Sequence, residues 1–203
     1  LLTTLGYRVN ITNHDESGLS FISNALLAEA KDKANFNLNF FKELISKETP
    51  LVGIEPSAIL TFRDEYLRLA EDKSAAKNIS ENTFTIEEFI KQEFEKNNIL
   101  ASRFTTQEKT LKIHGHCQQK SLSSMEPTFK MLSIPKNYSV TIINSGCCGM
   151  AGSFGYEKEH YDLSMQVGED TVFPKIRNTE NTTIIAVPCT SCRHQIKDDT
   201  GKT

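Results

Sequence analysis

Apolar and polar positions change period along this chain, and the changes mark out strands alternating with helices. Short apolar runs at Tyr7 to Ile11, Leu51 to Ile54, Leu111 to Ile113, Tyr138 to Asn144 and Thr183 to Val187 have the length and composition of strands. Helical spacing fills the intervals. Residues Ile22 to Ile45 carry Leu26, Leu27, Ala30, Ala34, Leu38, Phe41, Leu44 and Ile45 at that spacing, and Glu157 to Ile176 carries Tyr161, Met165, Val172 and Ile176. Ile86 to Phe94 reads as a short amphipathic helix. Glu71 to Ser80 reads as a polar linker, with the charge run Glu71 to Lys77 as its solvated face. Strand, helix and strand in succession predict parallel sheets in an α/β layer fold.

The pattern occurs twice. Sliding the chain on itself by 134 positions places Asn10 on Asn144, Gly18 on Gly152, Ser57 on Ser191 and Asp64 on Asp198. The expected architecture is α/β: two pseudo-repeated lobes, residues 1–105 and 106–203, with parallel sheets flanked by helices. The first lobe is expected to be degenerate and truncated at its start, because the counterpart of Leu111 to Cys117 would fall before residue 1. An opening on Leu1 rather than Met fits a piece cut from something longer.

Composition narrows the function classes. With 38% hydrophobic and 24% charged residues over 203 positions, the chain has ordinary globular composition and should not be disordered. Its net charge is −3, and Lys and Arg are interleaved with Asp and Glu, which argues against nucleic acid as a partner. No apolar run approaches the roughly 18 residues of a membrane helix, and no secretory leader is recognisable. The expectation is a cytoplasmic chain without a transmembrane segment, peripheral attachment to an inner membrane being left open.

All five cysteines lie in the second half: Cys117, the pair Cys147 and Cys148 before Gly149, and Cys189 with Cys192 in a C-x-x-C. An odd number with this spacing points to metal or redox chemistry rather than a disulfide framework, although Cys189 and Cys192 can pair on oxidation. Each group follows an expected strand, and parallel sheets gather ligands at the carboxyl ends of their strands. Three strand ends can thus deliver five sulfurs to one place. Gly146, Gly149 and Gly152 would let backbone approach a bulky inorganic group. Soft thiolates from three loops suit iron or zinc; the structural alternative is that the thiols are simply small buried hydrophobes.

Other side chains flank the thiols. His114, His116 and His194 can donate to sulfur or relay protons, or merely bond within their loops. Arg193 can offset thiolate charge or hold a substrate carboxylate, or be an exposed charge at a helix start. In the repeat register Asn13 and His14 take the places of Cys147 and Cys148, and Glu55 and Ala58 those of Cys189 and Cys192. His14 and Glu55 are therefore candidates for proton handling across the lobe interface, or else relics satisfied locally. His160 and Tyr161 read as packing residues of a helix. Gly149, Gly152 and Gly155 lack the spacing of a dinucleotide fingerprint.

The cysteine pattern resembles the cysteine-rich CCG domain found in heterodisulfide reductases and in the iron-sulfur subunits of glycolate oxidases. The words HGHCQQK at His114 to Lys120, SGCCGMAGSFGY at Ser145 to Tyr156, Glu159-His160-Tyr161, TSCRHQI at Thr190 to Ile196 and GIEPSAILTFRDEY at Gly53 to Tyr66 are more specific. They are similar to the carboxyl-terminal region of large FAD-binding, iron-sulfur dehydrogenases that oxidise D-2-hydroxy acids such as D-lactate or D-2-hydroxyglutarate. The resemblance implies an oxidoreductase in which FAD and ferredoxin-like domains precede this region in the same polypeptide. It implies cofactor-binding residues Cys117, Cys147, Cys148, Gly149, Cys189 and Cys192, the five cysteines ligating a 4Fe-4S cluster that passes electrons to an acceptor. The first lobe has no thiol, so one cluster is the most it should hold. Two alternatives stand beside this one: a zinc-containing or metal-free interaction module of the same larger protein, and thiol nucleophile catalysis by Cys148 with His116.

Overall fold

The computed structural model describes residues 1–202. The first half contains α1 (Leu19–Ser23), α2 (Leu27–Phe41), β1 (Leu51–Gly53), α3 (Pro56–Arg63), α4 (Glu65–Leu69), α5 (Lys73–Glu81), β2 (Thr83–Thr85) and α6 (Ile86–Glu95). The second contains β3 (Lys109–Ile113), α7 (Cys117–Leu122), α8 (Glu126–Leu132), β4 (Tyr138–Ile142), α9 (Tyr161–Arg177), β5 (Ile184–Ala186) and α10 (Thr190–Thr200). Both sheets are parallel. β1 pairs with β2, Leu51 opposite Thr83, while β3 lies between β4 and β5 with Leu111 opposite Val140 and Ile184. The α/β expectation with two small parallel sheets is met.

The repeat is visible in the elements. α2 begins at Leu27 and α9 at Tyr161, α3 at Pro56 and α10 at Thr190, each pair 134 positions apart. Gly18 and Gly152, at the same offset, both take positive φ, 83° and 71°. Each lobe buries its own apolar set: Leu38, Phe41, Phe62, Tyr66 and Ile79 in the first, and Val172, Phe173, Ile176, Ile185 and Ile196 in the second. A third set joins Leu5, Ile90 and Ile99 to Met131 and Ile134, so the halves also share packed surface through α6 and α8. Polar contacts add to it: the Arg63 guanidinium donates to Glu88 Oε2 at 2.6 Å, and Ser123 Oγ donates to Glu88 Oε1 at 2.6 Å.

Three expectations fail locally. Tyr7 to Ile11 is not a strand: Tyr7 packs its ring on Phe89 at 5.2 Å and donates its hydroxyl to Glu93 Oε2 at 2.8 Å, and Ile11 is 96% exposed. Apolar alternation makes a strand only where a sheet edge receives it, and among the described residues no strand of either sheet pairs with Tyr7 to Ile11. The long helix from Ile22 to Ile45 is broken at Asn24 to Leu26, where Ala25 has φ 60°. Ser23 Oγ and Asn24 Nδ2 both donate to Ser20 O, at 2.9 and 2.8 Å, side-chain bonds that compete with the helical ladder. Glu71 to Ser80 is largely helix α5, not a linker. Asp72 caps it by accepting from Ala75 N at 2.9 Å, and Ala76 and Ile79, three positions apart, are buried against Phe62 and Tyr66. Its charges occupy the outer face and hide that stripe.

Among the described residues no helix is long and apolar enough to cross a membrane.

Candidate metal centre

Parallel pairing brings three strand ends to one side of the second sheet, and the thiols follow them. After β3, His114 N donates to Ala186 O at 3.0 Å, and the chain then turns into α7, whose first residue is Cys117. Cys147 and Cys148 lie in the loop after β4. Cys189 is the residue before α10 and Cys192 is in its first turn. The sulfurs influence one another's ionisation in one series, Cys117 with Cys147, Cys147 with Cys148, Cys148 with Cys192 and Cys192 with Cys189, and Cys148 Sγ lies 3.0 Å from Cys192 Sγ. All five are free; Cys148, Cys189 and Cys192 are buried, Cys147 is half-buried and Cys117 is exposed. They border a cavity of about 770 Å³ between the lobes, which is also lined by His14, Ile54, Glu55, Ala58 and Phe62.

Backbone geometry holds the double-cysteine loop. Gly149 has φ 99°, and a Cβ there would lie 2.0 Å from Ser164 O, so the loop crosses α9 at a distance only glycine permits. Ser164 Oγ donates to Gly149 O at 2.9 Å and accepts from Gln195 Nε2 at 2.7 Å, which braces the loop between α9 and α10. Gly149 N donates to Cys147 Sγ at 3.3 Å, Gly146 N to Thr171 Oγ1 at 2.9 Å, and Lys120 Nζ to Ser145 O at 2.9 Å. The sequence reading missed Ser164, Thr171 and Gln195. The available signal was small: Ser164 and Gln195 are polar residues beside apolar positions of their helices, Met165 and Ile196.

Hydrogen bonding divides the thiols electrostatically. Cys147 is held far below the ordinary thiol range by the Cys117 thiol and then by that of Cys148; Cys189 is lowered by Cys192 and, less, by His116. Their partners move the other way. Cys117 and Cys148 are raised by their bonds to Cys147, and Cys192 by its bonds to Cys148 and Cys189. Ionising further thiols beside Cys147 and Cys189 would pack like charge against like charge. A multivalent soft cation removes that restriction.

Two histidines complete the donor set. His114 is fully buried, with Nδ1 2.9 Å from Ser145 Oγ and Nε2 without a partner; His116 Nδ1 is also buried and unpartnered. Donor atoms of His114, Cys148 and Cys192 lie within 4.8 Å of one another, as do those of His116, Cys189 and Cys192. Thiols in contact, unpartnered buried nitrogens and an adjoining cavity fit a thiolate-bound metal or metal cluster.

Burial, with Lys120 nearby, pushes His114 down to about 4. A histidine whose folded value is depressed contributes stability above its unfolded value, near 6.5, and that contribution is lost as the pH falls through the folded value. Metal-free protein should therefore lose on the order of 3 kcal/mol between pH 6.5 and 4 from this group alone. Urea midpoints across that range should fall less steeply in His114→Gln; parallel slopes would place the proton uptake elsewhere.

The remaining candidates divide. Glu55 reaches the thiol region, its Oε2 accepting from Thr190 N at 3.0 Å. His14 lines the same cavity, its Nδ1 2.5 Å from Asp15 O and its ring 5.1 Å from that of Phe41. His194 is exposed, with Nδ1 3.1 Å from Tyr156 Oη, and is not in the sulfur series. Arg193 is also exposed and reaches only Thr190 Oγ1, at 3.4 Å. His160 stacks on Phe154 with centroids 4.1 Å apart, as a packing residue would, whereas Tyr161 is exposed.

No family model matches the chain, and no solved structure does. It is similar to the D-2-hydroxyglutarate dehydrogenases of Haemophilus influenzae, 24% identical across 97% of this chain and 19% of the relative, and of Pantoea ananatis, 22% identical across 97% and 18%. It is also similar to a subunit of the anaerobic glycerol-3-phosphate dehydrogenase of Escherichia coli K12, 22% identical across 99% of this chain and 50% of that polypeptide. The chain thus spans about a fifth of the first two relatives and half of the third.

Proposed function

We propose that this chain is a CCG-type electron-transfer domain holding one iron-sulfur cluster, and that it forms the carboxyl-terminal part of an FAD-linked oxidoreductase acting on D-2-hydroxy acids. The observation that carries this is that all five sulfurs border one cavity between the lobes, with Cys148 Sγ 3.0 Å from Cys192 Sγ. Residues 1–105 and 106–203 are the two repeats, and the thiols of the second are the ligands: Cys117, Cys147, Cys148, Cys189 and Cys192. A 4Fe-4S cluster, when bound, supplies reversible electron storage. The protein's part is to deprotonate and aim the sulfurs, to donate the Gly149 N–H to Cys147, and to limit water through Met150 and the buried α9 face.

The D-2-hydroxyglutarate dehydrogenases support the hydroxy-acid reading, since the chain aligns with them nearly end to end as a minor fraction of a longer polypeptide. FAD and ferredoxin-like domains are assigned to the rest of that polypeptide. A zinc-holding interaction module is the second reading, favoured by the mixed His116, Cys189 and Cys192 set.

Anaerobically purified protein should contain iron and acid-labile sulfide and absorb broadly in the visible. Zinc without sulfide would establish the second reading, and a metal-free protein of unchanged fold would reject both metal assignments.

A further inference from the structure

We infer that Glu55 is a positioning residue for the thiol site: its carboxylate clamps the amino terminus of α10 across the lobe interface and holds a negative charge beside Cys189 and Cys192. The charge effect rests on the function proposed above; the clamp does not.

The first N–H groups of a helix have no partner within the helix. α10 has Cys189 before it, with no side-chain cap, and no acidic residue in its first turn. The N–H of its first residue is satisfied from 135 positions away, by Glu55 Oε2 at 3.0 Å. Ser57 Oγ donates to Glu55 Oε1 at 3.1 Å and fixes the carboxylate's rotation. Glu55 precedes α3 as Cys189 precedes α10, with similar backbone angles (φ −104°, ψ 109° against φ −113°, ψ 132°), yet its side chain accepts nothing from the N–H groups of its own helix. The repeat therefore sets a carboxylate where the second lobe has a sulfur ligand, and that carboxylate turns to the ligand-bearing helix. It borders the same cavity as the five thiols.

Two consequences follow from charge and position. A helix amino terminus stabilises an anion, and Glu55 occupies part of that favourable field beside a site that must itself carry thiolates. Its charge disfavours addition of an electron nearby and so lowers the reduction potential of the bound cluster. The same bond ties β1–α3 to β5–α10 across the cavity that the thiols border.

Amide exchange at Thr190 in the metal-free chain and the midpoint potential of the loaded chain separate these effects. In Glu55→Ala, exchange at Thr190 should quicken roughly tenfold or more. Glu55→Asp should do the same while retaining the charge, which keeps the test decisive if the alanine variant folds poorly. Glu55→Gln retains an acceptor, so its exchange should stay within a few-fold of the parent while the midpoint potential moves upward. Unchanged exchange in both Glu55→Ala and Glu55→Asp overturns the clamp, whether or not a cluster binds. An unmoved potential in loaded Glu55→Gln overturns the charge effect. A parent protein that takes up no iron sinks the functional reading and the charge effect with it, and the exchange result still decides the clamp.

Discussion

Replacing Cys148 with Ser is expected to reduce bound iron to less than a tenth of the parent's while far-UV circular dichroism stays the same. Cys148 stands in the middle of the sulfur series, next to Cys147 in the chain and 3.0 Å from Cys192 Sγ, and is 2% exposed. Serine nearly matches its volume and can still bond to its neighbours, but a hydroxyl does not ionise in this environment and is a poor ligand for soft iron. The fold should tolerate the exchange at a cost of about 1–2 kcal/mol, since the core beneath it, around Val172, Phe173 and Ile176, is untouched. Normal iron in Cys148→Ser would count against the ligand assignment.

Gly149→Ala should be the most damaging single change in the loop. The new Cβ would lie 2.0 Å from Ser164 O, a backbone atom of α9 that cannot swing aside, and the residue would sit at φ 99°, where L side chains are strained. Strain and overpacking together should cost roughly 2–5 kcal/mol, lowering Tm by roughly 5–15 °C, with loss of iron because the Gly149 N–H aims at Cys147 Sγ. Gly152→Ala is the matched control. Its φ is also positive, at 71°, but nothing lies within 4 Å of the added Cβ, so it should cost only about 1 kcal/mol of backbone strain. Equal melting temperatures for the two variants would show that the crossing with α9 is not rigid.

Much of the site was legible because local pattern and local chemistry agree there. Apolar runs at Leu111, Tyr138 and Thr183 each precede a cysteine group, and strands of a parallel sheet present their carboxyl ends on one side. Nothing in that inference needs long-range knowledge beyond parallel pairing. Where it failed, a distant partner decided the outcome. Tyr7 to Ile11 has a strand's composition, but Phe89 and Glu93 of α6 receive Tyr7 and no sheet edge does. Glu71 to Ser80 has a linker's charges, yet Ala76 and Ile79 make it part of the core once Phe62 and Tyr66 arrive from α3 and α4. His194 adjoins a candidate ligand by two residues, but its place on α10 turns it outward to Tyr156.

By itself the sequence determined the α/β class, the repeat at an offset of 134, and the gathering of five thiols at three strand ends, because period and residue chemistry are written locally. Only the tertiary structure decided that Gly149 must cross α9 against Ser164, that Gln195 braces the crossing, and that Glu55 spans the lobes to the N–H of Thr190. Those contacts join residues 15, 31 and 135 positions apart. Which partner each meets depends on how the packed lobes place the helices, and no local spacing encodes that.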